Sequence, residues 1–213
     1  MKSFKYFLEF IIIIIFFSLF KILGIRLSSY LSGRIFTLIG PLFRSKKIIN
    51  KNISIALENK SDLLIKNYKK DMWNYYGKIL AEYIFLKNFR NDTSNKYINV
   101  EGENFLNEIK TNNERVIFVS GHFDNFELMA MYLEKSKINL SAIYRPLNNF
   151  FLNRIMEYLR KKYICKNQIK KGRSSIRELI KLFNNGTSIA LMIDQRVSEG
   201  IKSKFFKKEA YTT

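Results

Sequence analysis

The unbroken apolar run Phe10-Ile11-Ile12-Ile13-Ile14-Ile15-Phe16-Phe17 constrains this chain more than any other stretch. Across residues 6–23, only Glu9 and Lys21 carry charge. That length is close to what a helix needs to cross the hydrocarbon core of a bilayer. No small-residue cleavage pattern follows it, so the segment reads as a retained anchor and not as a removed signal peptide. Lys2 and Lys5 precede it, whereas Lys21, Arg26, Arg34, Arg44, Lys46 and Lys47 lie at or after its end. By the positive-inside rule this bias puts the rest of the chain on the cytoplasmic side. Residues 23–43 are apolar with scattered arginines, a pattern that also suits an amphipathic helix lying in the membrane interface. The expected organisation is a membrane anchor and interfacial helix over residues 1–45, followed by one domain over residues 46–213.

Behind the anchor the pattern is first helical and then alternating. Ile53, Ile55, Leu57, Leu63, Ile65, Met72, Tyr75 and Tyr76 recur at turn spacing, and Asn91-Asp92-Thr93-Ser94-Asn95 breaks the series. From there we expect strands over 98–100, 116–119, 140–144 and 187–193. Helices are expected over 103–109, 125–134, 149–162 and 174–183. This alternation predicts an α/β fold, a mostly parallel sheet flanked by helices. At 25.3 kDa the chain can bury one sizeable core, and no Pro-, Gly- or Ser-rich linker divides it.

The only histidine, His122, follows Gly121 where the strand over 116–119 gives way to a turn. Strand ends of α/β sheets are where such folds place their chemistry, and imidazole is the side chain best suited to accept a proton near neutral pH. Glu127 stands five residues on. Along a continuous helix that spacing is about 500°, roughly 140° off-face, so the two side chains can meet only across a bend from strand through glycine turn into a new helix. A carboxylate on one ring nitrogen fixes the tautomer and raises the basicity of the other. Glu127 also suits a capping box with Asp124 as N-cap, and the two roles can coexist.

Three further places would serve substrate and not scaffold. Arg145 follows the strand over 140–144, and Pro146 keeps it extended, so its guanidinium can offer a bidentate fork to phosphate or form a surface ion pair. Lys170-Lys171-Gly172-Arg173 with Ser174-Ser175 precedes a helix, as either an anion site or an ordinary N-cap. Asp194-Gln195 ends the strand over 187–193 and borders the pocket, though no chemistry follows from these two residues themselves. The chain carries 37 Lys and Arg against 18 acidic residues, a net charge of +19, which calls for an acidic membrane, an acidic protein or nucleic acid. Its basic residues are dispersed and no nucleic-acid recognition motif accompanies them, so nucleic acid is not an expected partner. Lone Cys165 excludes an intrachain disulfide and, with a single histidine, argues against a structural metal site.

Gly121-His122-Phe123-Asp124-Asn125-Phe126-Glu127 resembles the H-x4-E signature of the lipid A late acyltransferases, the lauroyl and myristoyl transferases of lipopolysaccharide biosynthesis. Three more stretches match in the same order: Tyr144-Arg145-Pro146-Leu147-Asn148-Asn149, Gly172-Arg173-Ser174-Ser175-Ile176-Arg177-Glu178-Leu179, and Ile193-Asp194-Gln195. The resemblance implies a glycerolipid-acyltransferase-like fold at the cytoplasmic side of a bacterial inner membrane. It implies acyl carrier protein or acyl-CoA as donor and a phosphorylated glycolipid as acceptor, with no cofactor and no metal. By the same resemblance His122 and Glu127 are catalytic, and Arg145, Arg173, Asp194 and Gln195 bind substrate. Members of that family continue for several tens of residues past the stretch matching 205–213, so the domain is expected to be incomplete at its C terminus. Two other readings stay open: acyl transfer to another glycolipid or glycerolipid, and an inactive basic membrane-binding fragment.

Overall fold

A computed structural model describes residues 2–57, 61–172, 174–194, 200–205 and 208–212. The chain runs through α1 (Lys2–Leu23), α2 (Ile25–Ile39), α3 (Lys46–Ala56), α4 (Asp62–Glu82), α5 (Leu86–Arg90) and α6 (Glu103–Thr111). Next come β1 (Ile117–Ser120), α7 (Glu127–Lys135), β2 (Leu140–Tyr144), α8 (Phe150–Leu159), β3 (Asn167–Lys170), α9 (Ser175–Asn184) and β4 (Ser188–Met192). A hairpin of β5 (Ile201–Phe205) and β6 (Lys208–Thr212) follows. Two compact units result, one from residues 1–99 with 147–163 and one from residues 100–146 with 164–213.

In the first unit the apolar run forms α1, whose 22 residues reach about 33 Å at 1.5 Å per residue, enough to cross a bilayer. Most of its Phe and Ile side chains are exposed and only Phe20 is buried, which suggests association with lipid. Its first half is nevertheless held by α8: Phe7 and Phe10 each lie 5.6 Å from the Phe151 ring. The Asn149 side chain caps α8 and donates to the Tyr6 carbonyl at 2.8 Å and to Glu9 Oε2 at 3.1 Å.

Small residues let α2 and α4 approach closely. Ser28, Ser32 and Gly33 of α2 are buried, as are Trp73, Gly77 and Ala81 of α4, and Ser32 Oγ donates to the Gly77 carbonyl at 2.6 Å. A Cβ on Gly77 would stand 2.3 Å from the Ser32 carbonyl oxygen, a backbone atom that cannot rotate away. Alanine gains about 1 kcal/mol in helix propensity, but overpacking against a backbone sits near the top of the range of about 1–3 kcal/mol. Gly77→Ala is therefore expected to destabilise the protein by about 2 kcal/mol, read as a lowered midpoint in denaturant titration of detergent-solubilised protein.

The second unit holds the α/β fold expected from the alternation. Strands β1 to β4 form a wholly parallel sheet in the order β1-β4-β2-β3, and β5 and β6 pair antiparallel in a separate two-stranded sheet. Parallel neighbours need crossovers; within this unit α7 connects β1 to β2 and α9 connects β3 to β4, whereas the chain from β2 to β3 passes through α8 of the first unit. Ile169, Leu179 and Ile189 form a buried cluster with Ile143, Leu182, Phe183 and Leu191, so α9 closes one face of the sheet. Cys165 is fully buried, with Sγ 3.2 Å from the Leu140 carbonyl oxygen.

Residues 98–100, expected as a strand, are irregular. The Asp92 carboxylate accepts the backbone N–H groups of Ser94, Lys96, Tyr97 and Ile98, and the last two are thereby withdrawn from any ladder. The Tyr97 amide contributes most to holding the Asp92 carboxyl below its usual range. Burial opposes it, and the amides of Lys96, Ile98 and Ser94 add to it. Strand β3 and the β5–β6 hairpin had no alternating apolar pattern to announce them.

Candidate active site

Parallel register brings His122 to its partner. Ser120 of β1 pairs with Met192 of β4, and the Ile193 amide donates to the Ser120 carbonyl at 2.9 Å, carrying the pairing past both strand ends. Two residues beyond that pair stand His122 on one strand and Asp194 on the other. The Asp194 carboxylate grips the histidine twice: Oδ2 accepts the His122 backbone N–H at 2.7 Å, and Oδ1 lies 2.7 Å from Nδ1. Gly121 makes room for this, since a Cβ there would meet the Phe123 ring at 2.7 Å and Asp194 Oδ2 at 3.2 Å. The imidazole packs edge-on against Phe126, with centroids 4.6 Å apart. Both side chains remain about one-third exposed, 32% and 33%, so a substrate has access to them.

Partial burial pushes the Asp194 carboxyl upward. The hydrogen bonds from the His122 amide and ring, with the ring's charge, outweigh that and hold it below the ordinary carboxylate value. The acid is thus ionised throughout the neutral range. Because its folded value is depressed, its stabilising contribution is present above the unfolded value of about 4 and is lost as pH falls through the lowered folded one.

Glu127 is the first residue of α7 and is buried. A negative charge there is favoured by the helix N-terminus. The capping box does not form: Phe126 is the N-cap and no side chain caps the helix, while Asp124 takes a left-handed backbone with φ of 40°. Arg145 follows the last residue of β2 and is exposed. The Lys171 amide donates to the Tyr144 carbonyl at 2.9 Å, so the end of β3 runs beside the arginine's segment. Ahead of α9, Ser175 Oγ donates to the Gly172 carbonyl at 2.5 Å, an internal turn and not a side-chain cap from Ser174. Arg173 and Gln195 lie outside the described residues.

In sheet order the carboxyl edge carries His122 after β1, Asp194 after β4, Arg145 after β2, and Lys170 and Lys171 at the end of β3. Adjacent strands are about 4.8 Å apart, so the imidazole's strand and the arginine's strand are separated by about 10 Å. Ligands of open α/β sheets bind outside the carboxyl ends of the strands. Sequence reasoning placed Asp194 at this edge without assigning it the imidazole. The equal two-residue overhang of His122 and Asp194 appears only with the observed Ser120–Met192 pairing, since the strands expected from sequence end three residues and one residue short of them.

An imidazole gripped by a carboxylate at the carboxyl edge of a parallel sheet is the equipment of an α/β group-transfer enzyme. The whole of residues 1–213 matches the family model of bacterial lipid A biosynthesis acyltransferases, and the chain belongs to that family. Membership makes it an acyltransferase by family, with an acyl donor and a lipid acceptor. No curated protein matches the sequence.

Proposed function

We propose that this protein transfers a lauroyl or myristoyl chain from an acyl-carrier-protein or acyl-CoA thioester to a hydroxyl of a phosphorylated lipid A precursor. The reaction takes place at the cytoplasmic face of a bacterial inner membrane. The observation that carries this reading is the placement of the only imidazole, part-exposed, at the end of β1 with a carboxylate on its ring. His122 accepts the proton of the acceptor hydroxyl as that oxygen attacks the thioester carbonyl carbon. The tetrahedral intermediate collapses with cleavage of the carbon–sulfur bond, and the imidazolium returns the proton to the departing thiolate, leaving an ester and a free thiol. In this reading Glu127 steadies the imidazolium, the role that the H-x4-E resemblance gives it. Arg145 holds an acceptor phosphate, and the family resemblance assigns Arg173, Asp194 and Gln195 to substrate binding. Direct transfer is favoured over a covalent enzyme intermediate because Cys165 is fully buried and the Ser120 hydroxyl is turned to the Gly121 carbonyl. The net charge of +19 would speed encounter with an acidic carrier protein or an anionic bilayer.

The test is product analysis. Membranes containing the protein are given acyl-carrier-protein or acyl-CoA thioesters and a choice of acceptors: a phosphorylated glucosamine-disaccharide lipid, a monoacylglycerol phosphate and a mannosylated inositol lipid. The expected product is the disaccharide lipid heavier by one acyl chain. Acylation of one of the other lipids instead would move the assignment to that acceptor class, and no acylation of any would overturn the enzyme.

A further inference from the structure

We propose that Asp194 is the positioning residue of the site, its carboxylate gripping both the backbone amide and ring Nδ1 of His122 so that Nε2 is the nitrogen that takes the acceptor's proton. This rests on His122 serving as the base. An imidazole has two rotatable bonds and two neutral tautomers, and only one combination presents a lone pair to the hydroxyl. The two 2.7 Å contacts from one carboxylate remove both freedoms together. The Oδ2 contact fixes where the side chain leaves the turn. The Oδ1 contact accepts Nδ1–H and thereby leaves Nε2 unprotonated. Glycine at 121 is what lets the acid come this near, since any side chain there would crowd Asp194 Oδ2. Ionised Asp194 also favours the imidazolium that forms during attack. The resemblance read from the sequence gives this residue a place among the substrate-binding groups; the geometry gives it the base.

The chain has one histidine, so 15N-labelled imidazole in the detergent-solubilised protein of residues 1–213 reports on His122 alone. In the wild type the neutral ring is expected to show a protonated Nδ1 and a bare Nε2. Asp194→Asn keeps a carbonyl oxygen for the backbone amide but turns an NH2 group toward Nδ1, so the neutral ring should switch to the Nε2–H tautomer. Its kcat for acyl transfer should fall about 10²–10⁴-fold with KM nearly unchanged. A bare Nδ1 in the wild type, or a tautomer that ignores the substitution, would overturn the proposal, as would a raised KM with kcat retained. The wild-type spectrum decides even if the variant fails to fold. If the tautomer follows Asp194 but no lipid is acylated, the positioning stands and the acyltransfer reading falls.

Discussion

His122→Ala is expected to lower the rate of acyl transfer about 10²–10⁴-fold, the range that general-base catalysis contributes. Stability should fall modestly, because the side chain is about one-third exposed but gives up its hydrogen bond to the Asp194 carboxylate together with the Phe126 edge contact of about 0.5–1.5 kcal/mol. The variant also leaves α1 and the basic surface untouched, so sedimentation with membranes should match the wild type. The loss should appear in kcat more than in KM, because the imidazole acts on a proton in flight and not on the bound ground state. Initial rates with a labelled thioester donor, taken beside a melting curve, make the measurement. Activity within about twofold of wild type would remove His122 from the chemistry, and with it the catalytic reading of the edge.

Much of the scaffold was legible because local periodicity and crossover logic report on it directly. The apolar run gave α1, and the alternation after Tyr97 gave a parallel sheet with His122, Arg145 and Asp194 just past strand ends. Which strands are neighbours was not legible. β1 and β4 are adjacent although β2 and β3 lie between them in sequence, and the carboxylate that meets Nδ1 comes from 72 residues away. A spacing argument confined to one turn reaches Glu127, five residues on, and cannot see an acid delivered by sheet order. The false strand over 98–100 has the opposite cause, a local competitor: one aspartate collects four backbone amides, the last of them that of Ile98, with which the Ile-Asn-Val pattern would have opened a ladder. β3 was missed because Asn-Gln-Ile-Lys has a single apolar residue, Ile169, and that residue is the one turned into the core.

Arg145→Ala is expected to raise the KM for a phosphorylated acceptor about 10–100-fold while changing kcat much less. Pro146 excludes Arg145 from helical geometry, and β2 delivers it to the carboxyl edge about 10 Å from the strand bearing the base. That spacing suits one lipid whose phosphate and reacting hydroxyl are separated by part of a sugar. A hydrogen bond to a charged group contributes about 1.5–3 kcal/mol, and about 1.4 kcal/mol is tenfold in affinity, which sets the size of the effect. Arg145→Lys should recover only part of the loss, since an ammonium offers a point charge where the guanidinium offers a planar fork. Lys170 and Lys171 at the end of β3 supply further positive charge at this edge, so rising ionic strength should raise the wild-type KM and narrow the gap to the alanine variant. The decisive comparison uses an acceptor lacking the phosphate. If Arg145 holds that group, wild type and alanine variant converge on the dephosphorylated lipid, a double-mutant cycle between enzyme and substrate. An equal penalty on both acceptors would show that the arginine supports the turn after β2 and leaves the phosphate to other residues.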